Sequence, residues 1–161
     1  MDFFKSYSFV KSQVKKVLAE NYIDTPPVNA RELAENYGLT VKFARFPDNY
    51  KTVCGFIDFD NAVMYVNEAD SAYRQNFTIA HELGHWLLHR ENRDEYKVLM
   101  RRPIGGETDD REKEANVFAA ELLVPKEMLK KYTKEGLSSF QLSEIFMVSE
   151  SVINYRLEYC K

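Results

Sequence analysis

The chain has 161 residues, a length typical of one domain. Its composition, with 45% hydrophobic, 14% aromatic and 29% charged residues, suffices for a hydrophobic core beneath a soluble surface. The net charge of −3 argues against a protein that mainly neutralises phosphates, and no apolar run reaches the roughly 18–20 residues that span a bilayer.

The N-terminus and the cysteines favour a cytoplasmic protein. Charged residues interrupt the sequence MDFFKSYSFVKSQVKK too often for a secretory signal. Cys54 and Cys160 are far apart in the sequence and form no CxxC pair. This arrangement argues against a disulfide scaffold and against a thiolate zinc site, so a reducing compartment is expected.

The first part of the chain predicts two helices followed by three short strands. Apolar residues at helical spacing indicate a helix over Phe3–Asn21, and a capping box at Asn29 and Glu32 indicates a second helix over Ala30–Tyr37. The apolar period then changes to two, and the turn-prone pair Asp60–Asn61 suggests a hairpin between the last two strands. The predicted strands are Thr40–Phe46, Val53–Phe59 and Ala62–Asn67.

The rest of the chain predicts helices, with a long charged connection among them. Residues 90–111 form this connection, whose length is typical of a functional lid or a mobile loop, while its charge also fits plain solvated surface. The segment KEMLKKY after Pro125 either extends the preceding helix or starts a new turn. The predicted helices are Ser71–His89, Arg111–Val124, Ser139–Phe146 and Glu150–Cys160.

All three histidines of the chain lie in the sequence FTIAHELGHWLLH, Phe77–His89. On an α-helix, residues four apart differ by about 40° in direction and about 6 Å in rise, so His81 and His85 can direct two imidazole nitrogens at one metal ion. Glu82 lies about 100° further round the helix, off the metal but close enough to reach a water molecule bound there. This HExxH pattern predicts that one helix holds a metal ion and places a base beside the water bound to it. A pair of histidines buried in the core would give the same sequence pattern.

The remaining histidine and the third ligand need separate assignments. His89 lies about 12 Å in rise from His81, too far to share one ion on a continuous helix, and is assigned to the helix C-terminus. A catalytic zinc site needs a third protein ligand and an open fourth position. Glu112 is the first candidate because Asn116, four residues later, can brace a ligand histidine from outside the metal's own shell of ligands. Glu114 is the alternative metal ligand, unless it only stabilises a helix N-terminus.

Three segments in combination resemble the ImmA/IrrE family of zinc metallopeptidases. They are GFIDFDNAVMYVN, RQNFTIAHELGHWLLH and EKEANVFAAELLVP, and the resemblance covers about residues 29–160. By position, the resemblance implies zinc ligands at His81, His85 and Glu112. Glu82 would be the catalytic base.

The resemblance also implies an α+β fold. It would be a small zincin-like domain with a three-stranded, mainly antiparallel sheet, surrounding helices, an HExxH active-site helix and a C-terminal helix pair. We expect residues 1–161 to form a single metallopeptidase domain. Its parts would be an N-terminal helix and linker (1–28), a zincin-like core (29–125) and a helical element resembling a helix-turn-helix (126–161). A further C-terminal sensory domain, found in larger family members, is not expected here.

Family members cleave a helix-turn-helix repressor and thereby derepress genes of phages, mobile elements or bacteria. The resemblance therefore implies a gluzincin-like metalloendopeptidase whose partner is a repressor encoded nearby, bound as an extended segment along a sheet edge. No direct binding of nucleic acid or membrane is expected. Zn²⁺ is the preferred cofactor, although Mn²⁺ or Fe²⁺ could occupy the same ligands. Tyr65, Tyr73 and Tyr96 are candidates by residue type for stabilising the oxyanion, and none is preferred.

Three other interpretations stay open. The sequence LSSFQLSEIFMVSESVINYRL has the rhythm of a DNA-binding helix-turn-helix, but residues 137–161 contain three glutamates against one arginine and one lysine. A binding module with structural metal could sequester its partner without cutting it, although such a site would not need Glu82. A component of a toxin–antitoxin pair is the third interpretation.

Overall fold

The computed structural model describes residues 3–96 and 110–160. Within these ranges the helices are α1 (Phe3–Glu20), α2 (Ala30–Asn36), α3 (Ala72–Leu88), α4 (Asp110–Leu123), α5 (Lys126–Thr133), α6 (Ser139–Phe146) and α7 (Glu150–Tyr159). The strands are β1 (Thr40–Ala44), β2 (Gly55–Asp58) and β3 (Val63–Asn67), with short 3-10 turns at Asp48–Tyr50 and Arg90–Glu95. The α+β class is therefore confirmed.

The sheet is mixed, with β3 in the centre and the order β1-β3-β2. β2 and β3 pair antiparallel, as the predicted hairpin requires, whereas β1 pairs parallel with β3 in the register Thr40 to Val63. The prediction of a mainly antiparallel sheet is therefore wrong. A short turn after β1 would have placed it antiparallel beside β2, but residues 45–54 are long enough to cross the sheet to its other edge.

Helix α3 lies at the middle of the molecule, against α2, α4 and the strands β2 and β3. Two glycines set its distance from these neighbours. A Cβ atom on Gly84 would lie 3.1–3.2 Å from the Phe118 side chain of α4, and one on Gly55 of β2 would lie 2.7 Å from Thr78 of α3. The absence of side chains at these positions therefore lets α3 approach both the sheet and α4 closely.

One cluster of buried apolar side chains connects α1 with the sheet and the C-terminal helices. Side chains of α3 and α4 lie within it, together with residues of α6 and α7. Its members include Val10, Leu33, Met64, Leu83, Phe118, Leu122, Phe146 and Ile153, each 2% exposed or less. Helices of this length are only marginally stable alone in water, so the burial of these apolar side chains is what stabilises them.

The ends of the shorter helices follow local signals in the sequence. Asn29 caps α2, since its side chain accepts the N–H of Glu32 at 3.1 Å. The segment KEMLKKY forms a separate helix, α5, which begins directly after Pro125. Between α6 and α7, Met147 has a left-handed backbone with φ of 54°, so the chain turns sharply into the next helix.

The predicted lid falls largely on residues 97–109, which lie outside the described residues. Its first part, Arg90–Glu95, forms a 3-10 turn after α3. In the parts of the chain that the structure describes, no helix is both long and apolar enough to cross a membrane. The domain boundaries proposed from the sequence stay a prediction.

Candidate metal centre

Helices α3 and α4 supply the side chains of the candidate site. Ser71 caps the start of α3, since its hydroxyl accepts the N–H of Arg74, and the helix runs between the sheet and α4 with most of its second half buried. Glu112 lies in the first turn of α4 and is 6% exposed. The close packing of the two helices at Gly84 therefore brings an acidic residue of α4 to the histidines of α3.

His81, His85 and Glu112 converge on one point. The Nε2 atom of His81 lies 3.1 Å from Oε2 of Glu112, and the Nε2 atom of His85 lies 2.7 Å from Oε1 of the same carboxylate. One ligand atom from each of the three residues lies within 4.8 Å of the other two. Ligands held at about 2.0–2.1 Å from zinc in a tetrahedral arrangement are roughly 3.3 Å apart, so these separations suit a single ion.

The orientation of His85 also fits a metal ligand. Its Nε2 atom is buried and makes no hydrogen bond of acceptable geometry with the described residues, although the Glu112 oxygen is only 2.7 Å away. A buried polar atom without a hydrogen bond is costly, and coordination of a cation would satisfy it. Two imidazoles and a carboxylate are a donor set that suits zinc.

The opposite ring nitrogens of both histidines have partners of their own. Nδ1 of His81 lies 2.9 Å from Oδ1 of Asn116, the residue that sequence spacing places as a brace. Nδ1 of His85 lies 2.9 Å from Nδ1 of His89, and Nε2 of His89 lies 2.6 Å from Oε2 of Glu114. Glu114 is therefore engaged with His89, outside the group of three that could hold an ion.

The candidate base, Glu82, is buried and connected to the sheet. Its Oε2 atom accepts a hydrogen bond of 2.9 Å from the hydroxyl of Tyr96, which itself accepts the N–H of Ile57 in β2 at 2.9 Å. Burial raises the pKa of Glu82 to about 7, against the lowering effects of His81 and of the Tyr96 hydrogen bond. A carboxyl group with such a pKa can both accept and release a proton near neutral pH.

The protonation tendencies of Glu112 and His85 suit a ligand role, whereas His81 is shifted the other way by nearby carboxylates. Burial acts to raise the pKa of Glu112, but the nearby imidazoles of His81 and His85 outweigh it and lower the value to about 2. Burial lowers the pKa of His85. For His81, burial is outweighed by Glu112 and Glu82, and the pKa is raised. An ionised carboxylate and a neutral imidazole are the forms that bind metals.

Of the three tyrosines considered for the oxyanion, the structure places only Tyr96 in contact with the candidate site. Its ring also packs edge-on against His85, with the ring centroids 5.3 Å apart. Tyr65 instead stacks on Phe56 within the sheet, at 5.1 Å. Tyr73 lies in the first turn of α3.

Two features of the site were not predicted from the sequence. The pairing of His89 with Glu114 was missed, although His89 follows His85 by the same four residues that separate His85 from His81. The link from Glu82 through Tyr96 to the sheet left no signal, because its members are far apart in the sequence.

The arginine of the C-terminal pair α6–α7 is buried in the fold. This single arginine, Arg156, is 1% exposed. The guanidinium group donates to both carboxylate oxygens of Glu121 in α4, at 2.6 and 2.8 Å, and to the backbone oxygen of Val124. It is therefore unavailable to phosphate groups, which favours a packing role for this pair.

The HELGH helix packs on a small mixed sheet, and a glutamate of the next helix faces its histidines. This arrangement is consistent with a zincin-like metalloprotein, and a family model identifies the family. The model of peptidase family M78, described as the IrrE N-terminal-like domain, matches residues 34–158. The chain belongs to this family, so the resemblance seen in the sequence is confirmed.

Individual relatives agree with the family. The metallopeptidase ImmA of Bacillus subtilis (strain 168) is 33% identical over 100 residues, which are 61% of this chain and 56% of that protein. The uncharacterized immunity region protein 2 of Bacillus phage phi105 is 28% identical over 147 residues, 89% of this chain and 84% of the relative. These matches support a metallopeptidase.

A solved structure shares the fold. A Mycobacterium tuberculosis transcriptional regulator superimposes with a TM-score of 0.67 at 18% sequence identity, over 98% of this chain and 52% of that chain. The matched regions thus span about half the length of both ImmA and the regulator. At this level of identity the structural likeness concerns the fold alone.

Proposed function

We propose that this protein is a zinc-dependent endopeptidase that hydrolyses a peptide bond in a helix-turn-helix transcriptional repressor and thereby relieves repression. The observation that carries the proposal is the convergence of His81, His85 and Glu112, with the buried Glu82 beside them. Membership of a peptidase family supports the reaction. The relatives named for a metallopeptidase and for a phage immunity region support a regulatory protein substrate.

The side chains have separate tasks in this reaction. His81, His85 and Glu112 would hold the metal, and Asn116 would fix the ring of His81. When bound, zinc supplies Lewis-acid activation of water and of the scissile carbonyl. Glu82 takes a proton from the attacking water as the new C–O bond forms, and it delivers that proton to the amine nitrogen as the C–N bond breaks.

An extended substrate segment is proposed to add to the sheet at β2. Within the described part of the chain, β2 pairs only with β3, so its other edge has backbone groups that a peptide could use. This edge lies beside the candidate site, since Ile57 of β2 shares the Tyr96 hydroxyl with Glu82. A peptide along β2 would therefore pass close to the candidate base.

The test is incubation of the zinc-loaded protein with the repressor encoded by the neighbouring gene. We expect the unchanged protein to produce two fragments, and Glu82→Gln to slow the reaction by roughly 10²- to 10⁴-fold, as is typical of a lost general base. Glu135→Gln, which changes an exposed glutamate after α5, is the matched control and should cleave normally.

Two results would contradict the proposal in different ways. If Glu82→Gln cleaved as fast as the unchanged protein, the role of Glu82 would be wrong. If neither protein cleaved and both co-eluted stably with the repressor, the chain would be a binding module that sequesters its partner.

A further inference from the structure

A chain of buried polar contacts leads away from His85 on the side opposite to Glu112. Nδ1 of His85 meets Nδ1 of His89 at 2.9 Å, and Nε2 of His89 meets Oε2 of Glu114 at 2.6 Å. The other oxygen of Glu114 accepts a hydrogen bond from the hydroxyl of Ser6 in α1. His85 and His89 are 2% and 6% exposed, so bulk water does not compete at the junction between them.

Metal binding sets the direction in which hydrogens are donated along this chain. A histidine that binds a metal through Nε2 needs the lone pair there, so the ring proton of His85 then lies on Nδ1. Nδ1 of His89 lies 2.9 Å away and must accept that hydrogen bond. The ring proton of His89 is then on Nε2, where it is donated to the Glu114 carboxylate at 2.6 Å.

We propose that His89 and Glu114 are positioning residues that hold His85 in the tautomer able to bind a metal through Nε2. This inference rests on the proposed function only in taking the metal as zinc. The chain contains a parallel case, because the amide oxygen of Asn116 lies 2.9 Å from Nδ1 of His81. Each histidine of the pair thus has an acceptor on the nitrogen that faces away from Glu112. An acceptor of this kind fixes the ring orientation and raises the basicity of a ligand histidine.

Zinc affinity of two variants at position 89 tests the proposal without an assay of cleavage. His89→Leu removes the acceptor, whereas the side-chain oxygen of His89→Asn can occupy the position of Nδ1. By competition with a chromogenic chelator, we expect His89→Leu to bind Zn²⁺ about 10- to 100-fold more weakly, and His89→Asn to recover most of this loss. Unchanged affinity in a folded His89→Leu protein, or equal losses in the two variants, would overturn the proposal.

The tautomers of the unchanged protein provide a readout that does not depend on any variant folding. Long-range ¹⁵N–¹H correlation spectra distinguish imidazoles protonated on Nδ1 from those protonated on Nε2. With Zn²⁺ bound, we expect the proton on Nδ1 in His85 and on Nε2 alone in His89. A proton on Nδ1 of His89 would overturn the proposal, whatever the variants show, because that nitrogen could then not accept from His85.

Failure of this inference is separable from failure of the proposed function. A protein that binds zinc with the expected tautomers but cuts no repressor would contradict only the endopeptidase assignment. A protein that cuts its repressor normally, with affinity unaffected by His89→Leu, would contradict only the positioning role.

Discussion

Tyr96 connects the edge of the sheet to the candidate base through a single hydroxyl group. The hydroxyl accepts the N–H of Ile57 and donates to Glu82, each at 2.9 Å. Burial and the charge of Glu82 raise the pKa of the phenol, so it stays protonated and able to donate. The ring is held between Phe59 and His85, at 5.0 and 5.3 Å between centroids. One side chain thus holds the carboxylate of Glu82 in a defined orientation.

Replacing Tyr96 by phenylalanine removes both hydrogen bonds while keeping the ring. Because Ile57 is buried, its N–H loses its only described partner, and we expect the free energy of unfolding to fall by about 1–3 kcal/mol. Urea unfolding of the metal-free protein measures the change. Tyr22→Phe, at a side chain 92% exposed, is the control and should have almost no effect. A loss below about 0.5 kcal/mol for Tyr96→Phe would show that the two bonds contribute little.

The sequence predicts which side chains of one helix lie on the same face, but it does not predict which side chains of different helices meet. The four-residue spacing of His81 and His85 places both rings on one face, and the structure brings Glu112 to them. The same spacing extends to His89. As predicted, this residue lies at the C-terminus of α3, where its backbone N–H donates to the backbone oxygen of His85. Its side chain, however, pairs with Glu114, because the distance between α3 and α4 is set by packing and has no local signal.

Strand β2 and helix α3 meet at Gly55, where no side chain fits. A Cβ atom there would lie 2.8 Å from the backbone oxygen of Tyr65 and 2.7 Å from Cγ2 of Thr78. The first of these neighbours belongs to β3 and cannot move without disturbing the sheet. This contact fixes how closely the HELGH helix approaches the strand along which a substrate is proposed to bind.

Gly55→Ala should therefore destabilise the fold by about 1–3 kcal/mol, the usual cost of forcing an extra carbon into a packed interior. Thermal or urea unfolding measures it. The double variant Gly55→Ala with Thr78→Ser removes the Thr78 methyl group but keeps the Tyr65 oxygen, so only part of the loss should be recovered. Full recovery in the double variant would assign the strain to Thr78 alone.

The periodicity of apolar residues predicts the helices and strands well, but it does not predict which elements lie next to each other. The predicted bounds of α6, Ser139–Phe146, agree with the structure, and those of the other predicted helices differ by one residue at one or both ends. The strand predicted over Val53–Phe59 shortens to Gly55–Asp58. The parallel pairing of β1 with β3 could not be predicted, because alternation of apolar residues shows which face a strand buries and not which strand lies beside it.

A buried ion pair between Glu121 of α4 and Arg156 of α7 connects distant parts of the chain. Both oxygens of Glu121 accept from Arg156, and the same carboxylate accepts the Tyr7 hydroxyl of α1 at 3.0 Å. Three helices distant in sequence thus meet at one charge. Since α4 also carries Glu112, this contact helps to fix the helix that supplies the third candidate ligand.

Loss of the arginine should affect the entire fold. Among the described residues, Arg156→Leu leaves the buried carboxylate of Glu121 with the Tyr7 hydroxyl and the 3.8 Å contact of Lys11, and we expect a loss of about 3–5 kcal/mol in the free energy of unfolding. Denaturant unfolding at neutral pH is the measurement. Arg31→Leu breaks an exposed pair with Glu35 and should cost less than about 1 kcal/mol. Similar losses in the two variants would mean that the buried ion pair contributes no more to stability than an exposed one.

The shared hydroxyl of Tyr96 has a consequence for which peptides could be cut. A peptide that pairs with the outer edge of β2 needs the N–H of Ile57, and it can obtain that group only by displacing Tyr96. The same displacement releases Glu82, so arrival of the substrate and exposure of the base become one event. Very short peptides, unable to compete for the strand, would leave the base occupied. Turnover should therefore rise steeply with peptide length, which a series of nested substrates around one scissile bond would reveal.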